Sequence, residues 1–306
     1  MRIVHARKKV FISDYAFENK FILLTWILSI IYWKKYNNDI VLYTDNETLE
    51  NIKKFGFETL YDEINTDLFE NGDQCKDIDF RWFWAMPKIL SLHYETQHLN
   101  KEVVIADMDI VPMSDLSRFW QNSSVCVWSN KEYLEFTSTY PDIKSLSLPK
   151  DYELPKWFSG EVKPLNTGIL HFKKKKLANE YCNEVFKYVK GNDNCKENTD
   201  CVTMCNAEQR LLAEFLRYKD LPYQTIQPLD DGVFNKNAFH THGFKSIINN
   251  ENGLSWNTDI LYLIKQENQL MYYKLIENPL FKEEREHFAT NNKPIGSKIM
   301  KYYFGE

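Results

Sequence analysis

The sequence lacks an excess of positive charge and any paired cysteine motif. Its 38 lysines and arginines stand against 43 aspartates and glutamates, which gives a formal net charge of −5. Because a general nucleic-acid binder needs a basic face to neutralise phosphates, we expect no nucleic-acid partner. The six cysteines form no C-x-x-C pair, which argues against a structural zinc site. Without a secretory signal we expect reduced thiols, although Cys195, Cys201 and Cys205 are close enough in sequence to leave a local disulfide open.

Long hydrophobic runs are also absent. The most apolar stretch, residues 21–33, is interrupted by Thr25 and Ser29 and is shorter than the roughly 17–25 residues that span a bilayer. The first residues, MRIVHARKKVFISDY, contain no apolar run of the length that a signal peptide requires. We therefore expect a cytoplasmic protein in which residues 21–33 form a buried helix.

What the sequence does contain is typical of a globular α/β protein. Hydrophobic residues make up 43% of the 306 residues and charged residues 26%, an ordinary composition for a chain with a packed core. Apolar strands at residues 2–6, 40–43 and 59–64 alternate with helices at 17–36 and 47–55. This alternation predicts a mainly parallel sheet flanked by helices. Residues 249–306 read as further helices.

A pair of aspartates closes the most apolar strand of the sequence. Residues 103–113 read VVIADMDIVPM, and a short continuous apolar run of this kind indicates a strand buried on both faces. Asp107 and Asp109 then lie at the carboxyl end of the strand, where open α/β sheets bind ligands. Two carboxylates on one side of an extended chain can share a divalent cation, although aspartates after a strand also form ordinary turns.

The order of motifs along the chain resembles that of a known enzyme class. Lys88 lies on a helix that precedes the strand ending in Asp107 and Asp109; a later strand opens Asn166-Thr167-Gly168, Glu208-Gln209 begin a helix, and His242-Gly243-Phe244-Lys245 follow. This order resembles the nucleotide-sugar glycosyltransferases of the GT-A fold with a DXD motif. The likeness is to the glycogenin and lipopolysaccharide-galactosyltransferase type, and to the capsular polysaccharide and mannosyl transferases with a DXD sugar-binding region.

The resemblance covers residues 80–245, and residues 1–79 by their strand–helix order. It implies a GT-A-like, Rossmann-like fold: a mixed, mainly parallel central sheet flanked by helices, with a C-terminal helical extension. We expect a catalytic domain at residues 1–248 and the extension at 249–306. Within the catalytic domain, residues 1–110 would form the nucleotide-binding half and 111–248 the sugar and acceptor half.

The resemblance also implies a metal site. In the family the first aspartate, here Asp107, contacts the ribose or sugar and helps to hold the metal, and the second, Asp109, ligates Mn²⁺ or Mg²⁺. A late histidine supplies a third ligand. His242 matches by its adjacency to Gly243 and His240 by its spacing, so both remain candidates. The family's tail H-x-x-G-x-x-K-P-W is incomplete here, since Pro-Trp is missing.

Basic side chains would assist the metal. Cleavage of a sugar–diphosphate bond leaves negative charge on the diphosphate, which a divalent ion and nearby cations stabilise. Lys88, Lys245 and Arg81 are the candidates, and each could equally be a solvated surface charge.

Two further stretches would contact the substrates. Asn166, Thr167 and Gly168 offer an amide, a hydroxyl and a close backbone approach to sugar hydroxyls, or they simply begin a strand after a turn. Glu208 and Gln209 would contact donor or acceptor, with Glu208 as a general base, or they would compensate the dipole at a helix start.

Together these features predict a metal-dependent hexosyltransferase of polysaccharide biosynthesis. By the resemblance it transfers a sugar from a nucleoside diphosphate, with UDP favoured, to a glycan or lipid-linked acceptor with retention of configuration. A lipid-linked acceptor would also suit a peripheral membrane contact through the aromatic and basic residues 298–304.

Two alternatives remain from the residues themselves. A haloacid-dehalogenase phosphatase would use Asp107 as its nucleophile, with Asp230 and Asp231 as the late acidic pair, but that motif normally follows the first strand of its domain. A non-catalytic protein that binds sugar nucleotides is the other alternative.

Overall fold

A computed structural model describes residues 1–9, 15–130, 140–149, 152–190, 200–227, 237–240 and 253–291. Its strands are β1 (Arg2–Arg7), β2 (Ile40–Thr44), β3 (Glu63–Asn65), β4 (Val103–Ala106), β5 (Ile110–Pro112), β6 (Val125–Ser129), β7 (Asn166–Phe172), β8 (Tyr223–Gln227) and β9 (Ala238–His240). Its α-helices are α1 (Tyr15–Glu18), α2 (Lys20–Tyr36), α3 (Asn46–Phe55), α4 (Asp67–Glu70), α5 (Met86–His93), α6 (Ser117–Gln121), α7 (Lys175–Val189), α8 (Asp200–Cys205), α9 (Leu211–Tyr218), α10 (Gly253–Glu267), α11 (Gln269–Glu277) and α12 (Lys282–Asn291).

Seven of these strands form one sheet in the order β3-β2-β1-β4-β7-β6-β8. Neighbouring strands are parallel except at β7, which runs antiparallel to both β4 and β6. The chain moves from β1 outward to β2 and β3 and then returns to β4 on the other side of β1. The strand order therefore reverses between β1 and β4, and β5 pairs separately with β9.

Helices cover both faces of the sheet, as the apolar runs predicted. On one face, α2 and α10–α12 pack over side chains such as Ile3 and Val104. On the other face, α5, α7 and α9 pack over the alternate side chains, including Val4 and Ile105. Because successive strand residues point to opposite faces, consecutive apolar residues such as Ile3-Val4 and Val104-Ile105 supply apolar side chains to both faces of the sheet. The predicted class, a mixed and mainly parallel α/β sheet flanked by helices, is confirmed.

Capping residues explain where the first helices begin and end. Asn19 accepts the backbone N–H groups of Phe21 and Ile22 at the start of α2. Asp45 accepts the N–H of Thr48 at the start of α3, and Gly56 ends α3 in the left-handed conformation at φ 72°. These short polar side chains and this glycine satisfy backbone groups that a helix end leaves without partners.

The structure corrects two element predictions. Residues 103–113 are two strands joined by a turn, because the carbonyl of Asp107 accepts the N–H of Ile110 at 3.1 Å. Glu208 does not begin a helix. It lies in a π-helical segment, Asn206–Arg210, between α8 and α9, so it does not compensate a helix start.

The C-terminal helices belong to the same hydrophobic core as α2. Trp256, Ile260 and Phe281 are buried in that core, and the carboxylate of Glu284 binds Lys20 at 3.1 Å. The domain boundary predicted near residue 248 therefore separates helices that share one hydrophobic core. That boundary remains a prediction. Over the residues that the structure describes, no helix is long and apolar enough to cross a membrane.

Three of the cysteines, Cys75, Cys126 and Cys182, are free thiols. Burial raises the pKa of Cys75 to about 11, so this thiol is protonated at neutral pH and weakly nucleophilic. Cys195 lies outside the described residues.

Candidate functional site

Asp107 and Asp109 lie in the turn between β4 and β5. The N–H of Asp107 donates to the carbonyl of Gly168 at 2.7 Å, which attaches the start of the turn to β7. The carbonyl of Ile110 accepts the hydroxyl of Ser29 at 2.6 Å, which attaches its end to α2. The sheet and α2 thus fix the backbone on both sides of the two carboxylates.

His240 reaches the same turn through the small sheet. β9 pairs with β5 so that His240 is opposite Ile110. Its Nε2 lies 3.5 Å from Oδ1 of Asp109 and 3.9 Å from Oδ2 of Asp107. The ring packs edge-on against Trp128, with the centroids 5.2 Å apart. The pairing of two strands that are distant in sequence therefore brings a histidine close to the two aspartates.

These three side chains suit a divalent cation. One ligand atom from each of Asp107, Asp109 and His240 lies within 4.8 Å of the other two. Mg²⁺ binds oxygen at about 2.0–2.1 Å, so the ligand atoms of one ion lie within about 4.2 Å of each other. Small side-chain movements would thus bring the three atoms around one ion. Carboxylate and imidazole ligands together are compatible with Mn²⁺ and Mg²⁺.

Lys88 is held inside the site rather than at its surface. Its ammonium lies 2.9 Å from Oδ1 of Asp107 and 2.5 Å from Oε1 of Glu208, and the residue is 8% exposed. Burial acts to lower the pKa of Lys88, but the two carboxylates outweigh it and the net shift is upward. Lys88 therefore remains charged and holds Asp107 by one oxygen.

Glu208 is the innermost member of this group and is only 2% exposed. Burial raises the pKa of Glu208; Lys88 opposes the shift and Asp107 adds to it. It lies in the π-helical segment between α8 and α9, and such segments are frequent at functional sites.

Gly168 allows this part of β7 to approach His240. A Cβ atom built on Gly168 would lie 2.9 Å from Cδ1 of Ile110, 3.0 Å from Cε1 of His240 and 3.1 Å from Oδ1 of Asn166. The N–H of Gly168 also donates to that Asn166 oxygen at 2.9 Å. An added Cβ would therefore force neighbouring side chains to shift, since real Cβ atoms rarely approach other atoms this closely.

We expect Gly168→Ala to lower the free energy of unfolding by about 1–3 kcal/mol, the usual effect of overpacking. Urea denaturation would measure the change. Combining it with Ile110→Val removes the nearest methyl group and should restore part of the loss. An unchanged urea midpoint in the single variant would contradict the close contact.

Gln209 lies beside Glu208 and contacts a different segment. The hydroxyl of Tyr140 binds its side-chain oxygen, and its carbonyl accepts the N–H of Leu165 at 3.4 Å. The guanidinium of Arg210 holds the carbonyl of Gly160 at 2.8 Å. Through these hydrogen bonds the π-helical segment holds the chain at Tyr140, Gly160 and Leu165.

Analysis of the sequence missed His5, a buried histidine on β1. Its Nδ1 is 3.0 Å from the hydroxyl of Tyr61, and that oxygen accepts the indole N–H of Trp26 at 2.6 Å. The Tyr61 hydroxyl thus lies between the indole N–H of Trp26 and Nδ1 of His5. Burial lowers the pKa of His5 to about 3, although the charge of Asp109 acts in the opposite direction. A neutral histidine thus lies within the electrostatic reach of Asp109.

Thr167 lies at this site, where its carbonyl accepts the ammonium of Lys88 at 3.4 Å, but the other predicted residues are not brought to it by the described structure. His242 and Lys245 lie outside the described residues. Arg81 is exposed, and its guanidinium binds Asp79 at 2.7 Å, as expected of a solvated surface charge. Asp230 and Asp231, named for the phosphatase alternative, also lie outside the described residues.

Comparisons with known proteins give a family and distant structural neighbours. The profile of a family of unknown function, DUF6734, matches residues 4–290, and no curated protein sequence matches the chain. The apo structure of mouse xyloside xylosyltransferase 1 aligns with a TM-score of 0.39 and 7% identity, covering 74% of this chain and 84% of that one. The apo structure of the WbbM bifunctional glycosyltransferase aligns with a TM-score of 0.39 and 12% identity. That alignment covers 94% of this chain and 51% of WbbM, so the chain spans about half of its length.

Proposed function

The chain belongs to the DUF6734 family of unknown function, and from its site we propose that it is a metal-dependent glycosyltransferase. The observation that carries the proposal is the convergence of Asp107, Asp109 and His240 at the carboxyl end of β4. Open α/β sheets bind ligands beyond the carboxyl ends of their strands, where the strand order reverses. In this sheet the order reverses between β1 and β4, directly beside the cluster.

Such a cluster suits the chemistry of sugar transfer. A sugar–diphosphate bond breaks with negative charge on the departing diphosphate. A divalent ion held by Asp107, Asp109 and His240 would neutralise that charge as a Lewis acid and orient the diphosphate. Asp107 is half-buried and Asp109 is 7% exposed, so we assign the contact with ribose or sugar to Asp107. We favour Mn²⁺ or Mg²⁺ and a UDP-sugar donor, with a glycan or lipid-linked acceptor.

The contacts of Lys88 favour a positioning role for that residue. Its ammonium binds Oδ1 of Asp107 at 2.9 Å, while the other oxygen of Asp107 is the one near His240. Lys88 would therefore orient Asp107 for the metal instead of binding phosphate directly. Glu208 is buried against Lys88, so we propose that it holds Lys88 rather than accepting a proton from the acceptor. Gln209 and the Asn166–Gly168 segment remain our candidates for sugar and acceptor contacts.

The first test is nucleotide binding measured by thermal shift and calorimetry, with UDP, GDP and UDP-sugars, with and without Mn²⁺. A ligand that binds the folded state raises the melting temperature in proportion to RT ln(1 + [L]/Kd). We expect stabilisation by one nucleotide that depends on Mn²⁺ and disappears in Asp109→Asn. Asp220→Asn is the matched control, because Asp220 lies after α9 at φ 50°, a conformation that asparagine also adopts.

Absence of any nucleotide response with any metal would overturn the proposal. A response that persists in Asp109→Asn would contradict the metal site but not the nucleotide site. Release of phosphate from phosphomonoesters, lost in Asp107→Asn, would instead support the phosphatase alternative. Binding of a sugar nucleotide without transfer or hydrolysis would indicate a non-catalytic protein.

A further inference from the structure

A cleft of about 830 Å³ lies apart from the acidic centre. Its walls are the segment 73–78, the exposed side of α7 and the carboxyl end of α9. A second hollow of about 590 Å³ shares four lining residues with it, Trp157, Glu184, Lys187 and Lys190. Tyr218 in the cleft is ten residues beyond Glu208, at the far end of α9 from the π-helical segment, or roughly 15 Å along the helix axis. The cleft is therefore distinct from the proposed transfer site.

Aromatic rings form the central wall of this cleft. Trp157 stacks on Tyr218, with ring centroids 5.3 Å apart and planes 14° from parallel. Phe215 supports Trp157 from the buried side at 6.4 Å, and a bond from Arg217 to the Trp157 carbonyl fixes the backbone. Tyr218 is nevertheless 53% exposed. A large, rigid aromatic platform that remains open to water is characteristic of a binding surface.

The charged side chains around the platform are of both signs, with one more carboxylate than ammonium group. Four carboxylates and three lysines line the cleft. Glu184 binds Lys187 and Glu180 binds Lys219, each at 2.7 Å. The cleft thus lacks the positive excess that would attract a phosphate or nucleic acid. Its carboxylates, together with the amide of Asn183, offer fixed hydrogen-bonding groups beside an apolar face.

We propose that this cleft binds an uncharged oligosaccharide. The apolar C–H face of a sugar ring matches the Trp157–Tyr218 platform, and its hydroxyls match the surrounding carboxylates and amide. Small-ligand sites combine apolar and aromatic walls with polar groups that fix the ligand's orientation, and this cleft sets its aromatic wall among a larger number of polar side chains. The inference goes beyond the proposed function, since binding here requires neither the metal cluster nor sugar transfer.

The test is binding of xylo-, malto-, cello- and chito-oligosaccharides to the full chain, measured by saturation-transfer NMR and calorimetry. We expect at least one of these sugars to bind, and Tyr218→Ala to weaken it about tenfold, as loss of one aromatic contact predicts. Tyr273→Ala is the matched control: Tyr273 also lies on a helix, is 54% exposed and is not part of the cleft. Trp157→Ala, checked for folding by circular dichroism, should abolish binding.

Asp109→Asn separates this proposal from the proposed function. Sugar binding that is unchanged in Asp109→Asn, and in the presence of UDP and Mn²⁺, supports an independent site even if the nucleotide test fails. Binding lost in Asp109→Asn but retained in Tyr218→Ala would assign the sugar to the acidic centre and overturn the proposal. Failure of all four sugar series to bind would also overturn it. So would a dimer seen by sedimentation that Tyr218→Ala dissociates, because a second copy would then occupy the cleft.

Discussion

Lys88→Met is expected to destabilise the protein by about 3–5 kcal/mol at neutral pH, the usual result when one partner of a buried ion pair is removed. The substitution preserves most of the side-chain volume but leaves Glu208 and Asp107 without the ammonium between them. Urea denaturation at several pH values would measure the loss. We also expect it to abolish the response to Mn²⁺ and nucleotide, because Asp107 loses the contact that orients it.

The pH dependence of the stability of Lys88→Met tests whether the unpaired carboxylate of Glu208 causes the loss. Burial raises the pKa of Glu208 above its ordinary value of 4.5, so the folded state binds this proton more tightly than the unfolded chain does. Stability from this group is therefore present at low pH and falls as pH rises through the raised pKa. Since Lys88 acts to lower that pKa, its removal raises it further. The deficit of Lys88→Met should be largest near about pH 8 and shrink toward about pH 5.

Two variants control this prediction. Lys53→Met removes an ammonium 2.8 Å from Glu50, but both of those side chains are at least half exposed, so little change in stability is expected. Adding Glu208→Gln to Lys88→Met removes the carboxylate that has lost its ammonium partner and should recover part of the lost stability at about pH 8. A single variant as stable as the wild type at every pH would mean that the buried ion pair is absent.

The layered architecture of the fold could be predicted from the sequence because burial on both faces leaves a local pattern. The apolar runs at β1, β2 and β4 indicate parallel strands between helices, and the structure confirms them. Strand direction at β7 could not be predicted, because a strand that is buried on both faces reads alike in either direction. A turn at the two aspartates remained an alternative to a functional pair, and the hydrogen bond from Ile110 to Asp107 shows that the turn forms.

Residues of the candidate site that are close together in sequence could be predicted as a group, whereas contacts between distant residues could not. Asp107 and Asp109 are separated by one residue, so predicting the end of a single strand places both of them. Lys88 and Glu208 were proposed separately, but their ion pair depends on packing between distant elements. His5 was missed because a histidine within an apolar strand reads as an ordinary core residue. The choice between His240 and His242 stayed open because both fit the motif.

The pairing of β5 with β9 favours His240 as the third metal ligand. It holds the imidazole 3.5 Å from Asp109, while Trp128 packs against the ring. Because ligands that a fold holds in place bind metal more tightly than flexible ones, the loss of His240 should be severe. We expect His240→Ala to lower Mn²⁺ affinity and any Mn²⁺-dependent sugar transfer on the order of 100-fold, at least as much as the loss of a supporting contact does.

Activity and Mn²⁺ titrations on His240→Ala and His242→Ala would test this assignment. The two substitutions are chemically identical and two residues apart, so they separate loss of a ligand from general disturbance of the segment. Each variant should also be titrated with excess Mn²⁺, because a lost ligand weakens binding and part of the activity should return at high metal concentration. Full activity at low Mn²⁺ in His240→Ala, with loss only in His242→Ala, would transfer the ligand role to His242. Equal loss in both would mean that the segment contributes two histidines, with His240 fixed by its strand and His242 supplied from beyond it.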